Sequence, residues 1–104
     1  MANVTKALLI AQKMLDFLKG IRSATKGDAL TALKHDIEYI KNCISSLESR
    51  QRDKIEEVWQ GVQNIDKFFG GDYLSSPLEE EKLDGLMDEF FHELLDAVAE
   101  VRKS

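Results

Sequence analysis

One cysteine, one proline, one tryptophan and two histidines in 104 residues leave this chain short of the residue types on which most catalytic and metal sites depend. The single Cys43 excludes an internal disulfide framework and any multi-thiolate zinc or iron–sulfur site, and it suits a reducing compartment. Long apolar runs are also missing: none approaches the roughly 20 residues that crossing a bilayer requires. The apolar stretch Ala7–Ala11 after Lys6 ends at Gln12 and Lys13, short of the hydrophobic region of a signal peptide, and no small-residue cleavage site follows. These absences predict a cytoplasmic protein without a membrane span. Basic residues are not in excess either. A formal charge of −5 argues against nucleic acid as the main partner, because phosphate binding relies on clustered Lys and Arg to release counterions. The charge is uneven: residues 75 to 104 hold nine acids and three bases, and residues 1 to 74 hold ten acids and eleven bases.

What is present is helical. Hydrophobic residues make up 43% and charged residues 32%, enough apolar surface to fold, and the length matches one domain spanning residues 1–104. Val4, Leu8, Ala11, Leu15 and Leu18 recur at spacings of four and three on one helical face, which Ile10, Met14, Phe17 and Ile21 widen to about half the circumference. Asn3 or Thr5 is placed as an N-cap and Gly20 as a C-terminal stop. Asp28 is placed to cap a second helix. From there Leu33, Ile37, Ile40, Ile44 and Leu47, then Ile55, Val58, Val62, Ile65 and Phe69, keep one azimuth,. Gly70, Gly71 and Asp72 end that series. Ser76-Pro77-Leu78-Glu79 opens a last helix with a capping box and proline at its first position, and Leu83, Met87, Phe90, Leu94, Val98 and Val101 form its stripe. No strand-like alternation appears. The fold class is therefore all-α, an antiparallel bundle of four helical segments.

One joint stays open. Glu48-Ser49-Arg50-Gln51-Arg52-Asp53 contains neither Gly nor Pro, and the apolar phase carries through it, so residues 28–69 read equally as one long helix or as two. Helices beyond about 25 residues are rare in small domains, and Asp53 with Glu56 has the spacing of a cap. A continuous helix would form a rod roughly 60 Å long, with helices 1 and 4 packed along its successive halves.

Catalytic constellations are thin. Glu89-Phe90-Phe91-His92 has the Glu-x-x-His spacing by which some helical bundles hold two metal ions, but His92 lies about 160° from the centre of its helix's apolar stripe at 100° per residue. His35 faces away from the core in the same manner. Cys43 flanks the core stripe without a histidine beside it, as a Cys-His nucleophilic pair would require, and no serine sits in a Gly-x-Ser-x-Gly turn. Neither a catalytic residue, a metal ligand nor a cofactor site is assigned, and an enzyme is not expected. A metal-binding bundle is the alternative that the Glu89 and His92 pair keeps open.

Trp59-Gln60-Gly61 resembles the Trp-x-Gly signature of the WXG100 secreted proteins, helical chains of similar length, and this resemblance implies a secreted helical protein. In that family the motif lies in the turn between two long helices, whereas here Val58, Val62 and Ile65 carry helical phase through it. The family's C-terminal Tyr-x-x-x-Asp/Glu pattern is not met, since Tyr73 precedes Pro77 at that spacing.

The residues favour binding over catalysis: a helical adaptor, small chaperone, immunity-type inhibitor or regulatory subunit that presents a helix face to another protein. Trp59, Phe68, Phe69 and Phe91 are the candidate partner-binding residues, as large aromatic groups near helix ends. The breadth of the apolar face on helix 1 also predicts that the chain pairs with itself as a homodimer.

Overall fold

The computed structural model describes residues 2–22, 26–63 and 73–103. Among these the chain is helical and contains no strand: α1 (Ala2–Arg22), α2 (Asp28–Glu48), α3 (Arg52–Gln63) and α4 (Pro77–Lys103). The stripe residues Ile65 and Phe69, the candidate Phe68 and the Gly70-Gly71-Asp72 terminator lie outside the described residues.

The four helices pack as a ring in chain order, α1 against α2 and α4, and α3 against α2 and α4, in a body of 45 × 22 × 21 Å. Side-chain contacts fix the directions. The Arg50 guanidinium at the end of α2 donates to Thr5 Oγ1 in the first turns of α1. The Asn3 backbone N–H donates at 3.3 Å to the Glu100 carboxylate near the end of α4, and the Arg102 guanidinium meets Glu56 in the first turns of α3 at 2.6 Å. Neighbours therefore run antiparallel all round the ring.

The apolar stripes meet in one core. Val4, Ala11 and Leu18 of α1, Leu33, Ile40 and Leu47 of α2, Ile55 and Val62 of α3, and Phe90, Leu94 and Val98 of α4 are all essentially inaccessible to solvent. Each large side chain so buried contributes about 1.5–3 kcal/mol relative to exposure. On α1 the centre of the buried face is shifted from the expected one. Ala7 and Met14 are fully buried, while Leu8 and Leu15 are only half-buried, because α2 and α4 straddle the helix and draw its core line toward α4. The same straddling covers the broad apolar face of α1 within the chain.

Two helix ends differ from expectation. α1 starts at Ala2, so Asn3 and Thr5 lie inside its first turn, and it continues through Gly20 to Arg22 because Ile21, buried at 8% exposure, extends the core stripe by another position. α2 starts after Gly27, whose φ of 70° is a left-handed value that favours glycine. Asp28 is its first residue and lends its charge to the helix N-terminus without a side-chain capping bond,.

The open joint resolves as a reversal. Tyr39 of α2 lies beside Gly61 of α3, which pairs positions symmetrically about residue 50 and excludes a continuous rod. The turn is made without glycine. Arg50 takes a φ of 55°, its N–H donates to the Leu47 carbonyl at 3.1 Å, and Ser49 donates through its hydroxyl to the Ser46 carbonyl while accepting from the Gln51 N–H. α3 then begins with the Ile55 N–H donating to the Gln51 carbonyl. Asp53 sits in the first turn of α3 rather than in front of it, so the capping position belongs to Gln51.

Candidate interaction surface

The α3–α4 side of the bundle carries the aromatic residues that the sequence singles out. Trp59 faces inward from α3 at 9% exposure and meets Phe91 of α4 edge-on, with ring centroids 5.2 Å apart and an interplanar angle of 69°, a favoured aromatic geometry. Phe91 remains 38% exposed, and Leu95, one turn further along α4, is 49% exposed. The two form an i, i+4 pair on the outer edge of α4, and the Trp59 indole backs Phe91. Trp59 and Phe91 are thus brought together, the first as support and the second as surface. Phe68 and Phe69, the other two candidates, lie outside the described residues.

Charge frames this apolar edge. Glu56 accepts from Arg102 of α4 and lies 3.6 Å from Arg52 of its own helix, and the Arg102 hydrogen bond holds its carboxyl below the usual carboxylate range,. Asp53, Glu56, Glu57 and Gln60 line a shallow groove of about 360 Å³ along the outside of α3. The exposed side of α4 bears Asp84, Asp88, Glu89 and Asp96.

Between α2 and α3 runs a smaller cleft of about 220 Å³ that includes Tyr39, Cys43, Val58 and Gly61 in its walls. A Cβ on Gly61 would stand 2.9 Å from the Tyr39 hydroxyl oxygen, so glycine is needed here for close approach of the helices. The Trp59-Gln60-Gly61 triplet therefore has a local reason: Trp59 serves the α4 contact and Gly61 the α2 contact, about two turns into α3, and away from the reversal at Arg50. Burial pushes the Cys43 thiol up to about 12, against the lowering effect of its hydrogen bond with Tyr39. It stays protonated at neutral pH and packs in the core at 4% exposure. Burial likewise raises Tyr39 to about 12.

Sequence reasoning did not anticipate Tyr73. Ahead of α4, it is buried at 5% exposure and donates its hydroxyl to Asp36 Oδ2 of α2 at 2.7 Å, pinning the approach to α4 across the bundle. Burial and the neighbouring carboxylate both raise its pKa. The only advance signal was an aromatic residue in a polar link.

The two histidines lie on the solvent side, their side chains 84% exposed for His35 and 72% for His92. His92 Nδ1 is within 2.8 Å of the Asp88 carbonyl one turn earlier. Among the described residues no three His, Cys, Asp or Glu side chains gather to hold a metal ion, and no helix is long and apolar enough to cross a membrane. No family model, curated protein or solved structure matches this chain.

Proposed function

We propose that the protein is a non-enzymatic interaction module that binds other proteins through the outer edge of α4 where it adjoins α3. The single observation that carries this reading is the Phe91 and Leu95 pair, exposed at 38% and 49% although Trp59 supports it from beneath. An aromatic anchor on a rigid helix, ringed by charge, has the composition of an interface centre with a polar rim. Partners of this kind include a helix laid along α4 and a second copy of the chain. The lone buried Cys43 supports work in a reducing compartment such as the cytoplasm.

The experiment is site-specific photo-crosslinking of the full chain in its own cells. A crosslinking side chain at position 95 is expected to give one discrete protein adduct, and the same group at Glu38, exposed on α2, is expected to give none. Failure of both positions 91 and 95 to capture any protein, or identical adducts from position 38, would overturn the reading.

A further inference from the structure

The two helices that share the longest side of the bundle carry opposite charge. α1 has four bases and one acid, and α4 has nine acids and three bases. Their outward strips also share a spacing. On α1 the exposed residues Lys6, Leu9 and Lys13 fall at i, i+3 and i+7, and on α4 Glu89, His92 and Asp96 do the same, so each set occupies one helical face. Leu9 is 53% exposed in the middle of its strip, and the His92 side chain is 72% exposed in the middle of the other.

Height along the bundle follows from two contacts. Asn3 meets Glu100 and the Lys82 ammonium lies 5.4 Å from the Phe17 ring centroid, which set Leu9 level with the stretch around His92 on the antiparallel α4. Lys6 then stands at the height of Asp96, and Lys13 at the height of Glu89. A two-fold axis parallel to the bundle keeps these heights unchanged and brings the α1 of one chain beneath the α4 of the other, again antiparallel. Both α1–α4 contacts form at once, so the assembly closes.

We infer that the side of the bundle shared by α1 and α4 is covered by a second copy of the chain, a surface separate from the α3-side edge proposed above. Leu9 of each copy packs against His92 of the other, Lys6 faces Asp96 and Lys13 faces Glu89. The pairing uses the outer side of α1, not the broad inner face that α2 and α4 already cover. A long side of 45 × 22 Å has room for the roughly 800 Å² per partner of a standard interface. With its centre built from charge pairs, the dimer weakens as salt screens them.

Light scattering behind a sizing column, at tens of micromolar protein and low salt, is expected to give about twice the 11.8 kDa of one chain. The double variants Lys6→Glu with Lys13→Glu, and Glu89→Lys with Asp96→Lys, are each expected to run as single chains with helicity retained. Mixed together they restore both complementary contacts and regain the paired mass. Should either double variant lose helicity, Leu9→Asp replaces it, expected to weaken pairing at least tenfold. Wild-type protein at the mass of one chain, double variants that still pair alone, or folded double variants that fail to pair when mixed would each overturn the inference. A single-chain wild type leaves the broader reading distinguishable, because capture of a different protein from position 95 still supports it.

Discussion

The two described junctions that open α3 and α4 are built by opposite means. At 49–51 the chain reverses within three residues on Arg50, a non-glycine residue at φ 55°, with hydroxyl and backbone bonds inside the turn. At 75–79 the Ser76 hydroxyl accepts from the Glu79 N–H, and Glu79 reaches back to both the N–H and the hydroxyl of Ser75 at 2.8 Å, while Pro77 fits the first helical position. The second junction is locally self-sufficient. The first takes a conformation that costs an L-residue roughly 1–2 kcal/mol, so it persists because the helix it starts has a core to enter. A reversal without its own sequence signal is thus held by what lies beyond it, in this case Ile55, Val58, Trp59 and Val62.

The largest expected effect comes from removing what the first junction delivers. Trp59→Ala should lower stability by about 3–5 kcal/mol, as buried large-to-small changes do, with α3 amides losing hydrogen-exchange protection before those of α1 and α4. Equal loss of protection in all four helices would show that α3 is not the separable element. Next, Arg50→Pro cannot adopt the positive φ and removes the N–H that bonds Leu47; about 3 kcal/mol should be lost in urea unfolding. Arg50→Gly should move the other way, stabilising by about 0.5–1 kcal/mol through relief at that φ, although it gives up the exposed bond to Thr5. A destabilised glycine variant would mean that the Arg50 side chain, not its backbone, governs the turn.

The smallest effect separates the junctions by pH. Hydrogen bonds from Ser75 hold the Glu79 carboxyl below its ordinary value of 4.5, so its contribution is present above that value and is lost as pH falls through the lowered one. The stability gap between wild type and Glu79→Gln should therefore narrow below about pH 4.5, and an unchanged gap at low pH would remove the carboxylate from the cap.

The contrast explains what could be read in advance. Periodicity places Leu33, Ile37, Ile40 and Leu47, and Leu83, Phe90, Leu94 and Val101, because each stripe answers to the core facing it. The start of α4 is legible since Ser76, Pro77 and Glu79 each act locally. The reversal at Arg50 is not, because helical phase is blind to direction: Leu47 and Ile55 share an azimuth whether the chain runs on or doubles back. Of the candidate site, Phe91 was recognisable as a large aromatic group, although it lies in the middle of α4 and not near a helix end. Leu95 was passed over because an aliphatic residue beside an apolar stripe reads as core until the neighbouring helix is placed, and Leu9 was passed over for the same reason. Gly61 had meaning only once Tyr39 was seen across from it.

The α3–α4 contact depends on α3 returning antiparallel to α2, which carries Trp59 to Phe91. An electron paramagnetic resonance distance between spin labels at Glu38 and Gln63, both exposed, tests that return directly. The hairpin predicts a separation of roughly 10–20 Å, the spacing of packed helix neighbours plus label reach. A continuous helix would place the labels about 37 Å apart at 1.5 Å per residue, and that distance would contradict the bundle.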